Sequence, residues 1–310
     1  LSPPVKWRSE MSNRITDNVI SGPQVDTYRE KGFVVVEDIF SADDIEQMRA
    51  ALDELTACAK GLTDHTNLID LEPGHTPEVP RVRRIKDPCN NHPVFQEMAR
   101  RPRLINALTA LLGPDLRLHG SKINLKSADH GSAVEWHQDW AFYPHTNDDV
   151  LAVGVMLDDM TPENGPLLCL ADSHRGPTYD HHQDGHFVGA MDPTNCALEF
   201  SQAEMITGSA GSCSFHHVRA VHGSASNTST RDRRLLLLQV AAADAWDLRG
   251  MEAYASWENH EKMMLAGSAG NQPRIVETPV RLPYPGPLKT GSIYESQTLA
   301  RNKYFAAKTD

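Results

Sequence analysis

The sequence predicts a mainly β fold, a sandwich or barrel, with α-helical support at its N-terminal end. Three observations predict it. From Leu116 to about Ala245 short strand-like runs follow one another, each closed by Gly, Pro, Asn or Asp. No long helix interrupts them before about Trp246, so regular strand–helix alternation is absent. No glycine-rich phosphate loop appears either, which argues against a doubly wound nucleotide-binding fold.

Residues 1–20 read as an N-terminal tail, with Leu1 to Glu10 compatible with a remnant upstream of a native start at Met11. One domain is expected over 21–310, with helical support at about 21–115, the β core at about 116–245 and a C-terminal extension at about 246–310. "GFVVVEDIF" is a short β-branched strand following Gly32. "SADDIEQMRAALDELTACAK" is a helix with Ser41 as N-cap and Asp44 three residues on. Its Ile45, Met48, Leu52 and Leu55 share one face. The proline-rich stretch "TDHTNLIDLEPGHTPEVPRVRRIKDP" reads as a long loop with a strand near Arg81 to Ile85. Its Arg83, Arg84 and Lys86 are expected to be solvated. "RPRLINALTALLG" is a second helix, with Pro102 at its start and Gly113 past its end. The Pro-rich tail after Gly267 is expected to wrap the β core.

Composition limits the partners. A net charge of -11 over 310 residues argues against nucleic acid and anionic membranes. No apolar run approaches the roughly 20 residues that span a bilayer. The five scattered cysteines form neither a disulfide framework nor a zinc-thiolate pattern, and a reducing cytoplasm is the natural compartment. Oligomeric state is not legible.

The chemistry is expected in "VEWHQDWAFYPH", where His137 and Asp139 stand among aromatic rings. A His-x-Asp triplet alone decides little, because fifteen histidines and forty-one acidic residues produce one by chance. A second, His182-Gln183-Asp184, lies in "YDHHQDGH", between Gly176-Pro177 and Gly185, with no strand pattern around it. That segment is expected to be a solvated or pocket-covering loop. A third ligand would come from "SFHHVRAVHGS", which offers His216, His217 and His222. Two histidines and one carboxylate hold one face of an octahedron and leave three positions for a chelating 2-oxo acid and dioxygen. A closed four-ligand zinc site would not. Gln138 should face away from the metal.

"WHQDW", then "MTPENGPLLCLADSHRG", then "VHGSASNTSTRDRR" resembles the phytanoyl-CoA dioxygenase superfamily of iron(II)/2-oxoglutarate oxygenases. The likeness runs from about Phe33 to Arg234, and "INLKSADHGSAVEWHQD" is closest in style to its ectoine-hydroxylase branch. "LADSH" departs from the family's Pro-Gly-Ser-His. The resemblance implies a double-stranded β-helix, the cupin-like jelly roll, and hydroxylation of an unactivated C–H bond of a small metabolite, with succinate and carbon dioxide as coproducts. It implies iron(II), 2-oxoglutarate and dioxygen, with His137, Asp139 and His222 as iron ligands. Arg233 matches the residue that pairs with the distal carboxylate of 2-oxoglutarate, Ser224 and Asn124 assist it, and Arg231 is the alternative on the same strand face. Trp140, Phe142, Tyr143 and His145 are expected on the substrate side. Two rival readings are a metal-dependent hydrolase on the same scaffold and a non-enzymatic jelly-roll binding or sensing protein.

Overall fold

Period-two alternation in one long strand explains most of the architecture. The computed structural model describes residues 19–128, 131–250, 256–289 and 291–305. The expectations for residues 1–18 lie outside them. The chain opens with α1 (Gly22–Lys31), β1 (Phe33–Val36) and α2 (Ala42–Ala57). Strands β2 (Ile69–Leu71) and β3 (Val82–Lys86) and helices α3 (Pro88–Asn91), α4 (Pro93–Met98) and α5 (Pro102–Leu112) follow. The core runs through β4 (Leu116–Lys126), β5 (Val134–His137), β6 (Val150–Met156), β7 (Leu167–Cys169), β8 (His182–Gln183) and β9 (His186–Phe187). It continues through β10 (Glu204–Ile206), β11 (Cys213–His217), β12 (His222–Ser224) and β13 (Arg233–Ala242). The extension carries α6 (Trp257–Lys262), β14 (Met264–Ala266) and α7 (Ile293–Gln297).

Two antiparallel sheets make the jelly roll. The large one has the order β1-β11-β6-β13-β4-β3-β2 with β14 also on β4, and the small one is β10-β7-β12-β5. On β13, Leu236, Leu238 and Val240 point outward into the main hydrophobic core with Ile123 of β4, Val153 and Val155 of β6, and Phe215 of β11. Met48, Leu52, Leu104 and Leu108 of α2 and α5 close that core from the far side, so the helices support the sheet. The alternate residues necessarily face the interior between the sheets. There they are unusually polar: Lys122, Asn124 and Lys126 on β4, Arg233 and Gln239 on β13, and His216 on β11 line one cavity.

The cap of α2 is as its sequence requires. Ser41 Oγ accepts from Asp44 N at 3.1 Å, and the Asp44 carboxylate accepts the Ser41 N–H at 3.1 Å. The basic run on β3 differs from expectation. Arg83 is buried and ion-paired with Glu295, and Lys86 Nζ sits 2.9 Å from the buried Asp70. β3 is inserted between β2 and β4, so its side chains are covered by neighbours and must find partners.

Candidate active site

His137 closes β5, and His222 opens β12 directly opposite it, with ring centroids 4.1 Å apart. Each ring is turned by its own backbone. His137 Nδ1 contacts Glu135 O at 2.8 Å and His222 Nδ1 contacts Ala220 O at 2.9 Å. A carbonyl accepts only from N–H, so both Nδ1 atoms carry the proton and both Nε2 lone pairs are free. After Gln138 the chain turns into a short 3-10 helix that starts at Asp139 and lays its carboxylate beside them, Oδ1 being 3.9 Å from His137 Nε2. Donor atoms of His137, Asp139 and His222 lie within 4.8 Å of one another, all three residues buried.

Charge state suits a cation. Burial pushes His137 down to about 4, and burial with the neighbouring rings pushes His222 well below the ordinary imidazole range. Burial alone would raise Asp139. The proximity of His216, 3.7 Å away, and of His222, Lys122 and His137 more than offsets it and holds Asp139 well below the usual carboxylate range. Two neutral imidazoles and one carboxylate are the protonation state that a metal requires. Gln138 faces away and pins the loop opposite, donating to Pro177 O and Arg219 O and accepting from Tyr179 N.

The cavity beside the triad measures about 50 Å³. Arg233 lies in its wall, 3% exposed, with burial lowering its guanidinium only to about 10. Nη2 donates to Gly165 O at 2.9 Å, while Nε and Nη1 are buried without a partner. Asn124 Oδ1 is likewise buried and unpaired. Ser224 Oγ accepts from Lys126 Nζ at 2.9 Å. A buried cation with open donors is costly unless an anion meets it. A dicarboxylate meets that need, so the residues present fit 2-oxoglutarate. Arg231 is exposed and precedes β13, and Arg234 turns outward onto Asp158.

The motif residues have structural reasons. Gly165 sits at φ +71, and a Cβ there would lie 2.6 Å from Ala225 O and 3.1 Å from Lys126 Nζ. Only glycine lets the ENG turn come close enough to present its carbonyl to Arg233. Asn227 donates to Lys126 O and Arg231 O, closing the β12–β13 loop. At the "LADSH" departure Asp172 takes φ +64, and His174 still packs on Gly32 and contacts Arg29 O.

The four expected substrate-side residues separate. Trp140 is fully buried, donates Nε1–H to Pro279 O and does not line the cavity. Phe142 stands edge-on to His137 at 5.8 Å and to Phe187 at 4.9 Å. Tyr143 accepts from Gln239 Nε2 at 3.2 Å, and the Asp139 carboxylate beside it helps burial raise its phenol. His145 is set behind Tyr143, with centroids 6.2 Å apart. Lining residues not anticipated for this site include Lys122, Lys126, His216 as a wall residue, Gln239 and Tyr294. Counting by two from Asn124 finds both lysines. Tyr294, on α7 far along the chain, leaves no such trace.

The second triplet is built differently. His182 Nδ1 meets Asp180 at 3.0 Å, and Asp184 pairs with Arg301 at 2.6 Å on the surface. Inward from that hairpin reach His181, just before it, whose Nε2 accepts Gln138 N–H at 3.0 Å, and Phe187, buried against Phe142.

A family model for phytanoyl-CoA dioxygenase (PhyH) matches residues 28–235. The chain belongs to the PhyH family. A probable alpha-ketoglutarate-dependent hypophosphite dioxygenase of Stutzerimonas stutzeri is 37% identical over 282 residues, 90% of this chain and 97% of that protein. An ectoine dioxygenase of Bordetella parapertussis is 30% identical over 68% of this chain and 72% of its own length. Among solved structures, EctD from S. alaskensis with 2-oxoglutarate and 5-hydroxyectoine superposes with a TM-score of 0.63 at 26% identity. That match covers 86% of this chain and 90% of that one. This PhyH protein is an iron(II)- and 2-oxoglutarate-dependent dioxygenase, and the hydrolase and sensor readings fall away.

Proposed function

We propose that this dioxygenase hydroxylates a small oxyanion of the class of hypophosphite, with His137, Asp139 and His222 holding iron(II) and Arg233, Ser224 and Asn124 holding 2-oxoglutarate. Lys122 carries the substrate assignment. It lines the cavity within Coulomb range of Asp139, and among the described residues it makes no hydrogen bond or close ion pair. Burial, opposed by Asp139, lowers its ammonium to about 8, so it is mostly charged at neutral pH.

Counting charges shows why an anion is wanted. Iron(II), Asp139 and doubly ionised 2-oxoglutarate leave one negative charge, which Arg233 balances. Lys126 and Glu72, each pushed by burial toward its neutral form, are left out of the count. Lys122 then adds one positive charge. A substrate anion against Lys122 balances a half-buried charge that makes no close ion pair among the described residues. The extended likeness to the hypophosphite dioxygenase supports the same class.

Bound iron and 2-oxoglutarate with dioxygen supply the oxidising power, coupling loss of carbon dioxide from the oxo acid to oxygen insertion. The protein's own tasks are positional. Arg233 and Asn124 fix the cosubstrate from β13 and β4, and Lys122 holds the substrate from the same sheet. Tyr294 and Ile293 of α7 line the cavity. The balance is substrate plus 2-oxoglutarate plus dioxygen giving hydroxylated substrate, succinate and carbon dioxide. For hypophosphite, one P–H becomes P–OH and the product is phosphite. The five free cysteines agree with a reducing cytoplasmic setting for this chemistry.

The test is succinate formation with a panel of hypophosphite, small phosphonates, small carboxylates and the zwitterions ectoine and proline. Coupled turnover is expected with an oxyanion, identified by phosphorus NMR where the product contains phosphorus. Turnover with zwitterions alone contradicts the substrate class.

A further inference from the structure

Behind Tyr143, apart from the iron-ligand triad, stands a second group of metal-type donors. Donor atoms of His119, His145 and Asp247 lie within 4.8 Å of one another. Three separate chain segments bring them there. The β4–β13 register passes from Gln239↔Gly120 to Val240↔Leu118, so His119 is the extra residue of a β-bulge. Bulges re-aim side chains, and this one turns His119 toward the ring of His145, 4.8 Å away. His145 and Asp247 face each other across an isolated antiparallel bridge, braced by Leu248 N–H donating to Pro144 O at 2.8 Å.

The His145 ring is prepared as the iron-side rings are. Its Nδ1 contacts the carbonyl two residues back, Tyr143 O, at 2.7 Å, as His137 and His222 do with Glu135 and Ala220. That leaves Nε2 as a lone pair, 1% exposed as a residue and without any hydrogen-bond partner. His119 Nε2 lies 3.8 Å from Asp247 Oδ2, and its Nδ1 is buried and unpaired as well. Burial pushes His119 to about 3 and His145 to about 4, so neither ring is closed to a metal by a proton at neutral pH.

We propose that His119, His145 and Asp247 form a second metal site, of the two-nitrogen, one-oxygen type that takes zinc(II), with water completing the tetrahedron. Imidazole and carboxylate suit zinc, and bonds of roughly 2.0–2.2 Å place neighbouring ligands about 3.4 Å apart. The 3.8 Å separation across His119 and Asp247 closes to that with a shift of a few tenths of an ångström. Arg249 already grips Asp247 through Nε and Nη2, at 3.1 and 2.6 Å. A carboxylate has about four lone-pair positions, and ligating carboxylates are ordinarily hydrogen-bonded by an outer partner. The Arg249 side chain is 38% exposed, so solvent screens much of its charge. Of the three, His119 also lines a surface groove with Asn259 and Lys262. The bound ion fastens the start of the C-terminal extension to β4, behind Tyr143, whose ring centroid is 5.0 Å from that of His119.

Titrating the metal-free protein with cobalt(II), counting bound metal and following its visible d–d bands, tests the assignment. Two equivalents are expected for the unaltered protein. One is expected for His145→Gln and for Asp247→Asn, with circular dichroism verifying the fold. His222→Gln should also bind one equivalent, and His145→Gln/His222→Gln none. Zinc(II) should raise the melting temperature of His222→Gln and leave that of the double variant unmoved. A single equivalent in the unaltered protein overturns the proposal, as does a second equivalent that survives both His145→Gln and Asp247→Asn.

Discussion

The chain holds two His-x-Asp triplets, and they differ in everything except their letters. His137 and Asp139 sit at the end of a strand and the start of a 3-10 turn, both buried, their donor atoms facing His222. His182 and Asp184 belong to a two-strand hairpin, where His182 Nδ1 meets Asp180, His182 Nε2 has no partner, and Asp184 pairs with Arg301 on the surface. What marks the first triplet is convergence, since three buried residues aim their donor atoms at one place that could hold a metal. At the second, Asp184 is held by Arg301 and, among the described residues, no third donor converges with the pair. The motif is therefore a statement about spacing, and the partners around it decide the chemistry.

Separating the triplets produces the largest effect. Asp139→Ala removes the one anionic ligand, and substrate-coupled succinate formation should fall to background. Asp184→Ala loses only an exposed pair and should stay within about twofold of the unaltered rate. Succinate assays on both variants check this. An inactive Asp184→Ala beside an active Asp139→Ala reverses the comparison.

The next effect sharpens it from the cosubstrate side. Arg233→Ala removes one partner of a buried charge pair, worth roughly 3–5 kcal/mol, or two to four decades in the 2-oxoglutarate requirement. Arg231→Ala, on the exposed approach to β13, should change it little. Cosubstrate saturation curves measure both. A large rise in Arg231→Ala alone transfers the role by two residues.

Lys122→Met should act on the substrate instead. A hydrogen bond to a charged group is worth about 1.5–3 kcal/mol, so KM for the oxyanion should rise about ten- to a hundredfold. The 2-oxoglutarate requirement should hardly move. An equal loss on both saturation curves would place Lys122 among the cosubstrate's partners.

The smallest effect lies outside both triplets. Ser41→Ala removes the N-cap of α2, which supports the outer face of the large sheet, and should cost about 1 kcal/mol of stability. Thermal melting should register that loss while kinetic constants stay unchanged.

How much of this was legible follows from the range of each interaction. The Ser41 cap, the faces of α2 and α5 and the run of short strands are local, and the sequence displays them directly. The triad needed one contact across the sheet, His222 against His137, and the flanking motif supplied it. The burial of Arg83 and the pairing of half-buried Lys86 were not legible, because their partners Glu295 and Asp70 come from other segments. Trp140 reads as a pocket wall beside Asp139, yet a 3-10 turn sends it into the core against Val150 and Val218. Lys122 was readable by period two from Asn124, once the strand's inner face was known.

One measurement bears most directly on which triplet holds the iron. Anaerobic addition of iron(II) and then 2-oxoglutarate should produce a weak visible charge-transfer band, because the oxo acid chelates the metal at open positions. The account predicts that band in the unaltered protein and in His182→Ala, and its loss in His137→Ala. A band that persists in His137→Ala and vanishes in His182→Ala would contradict it.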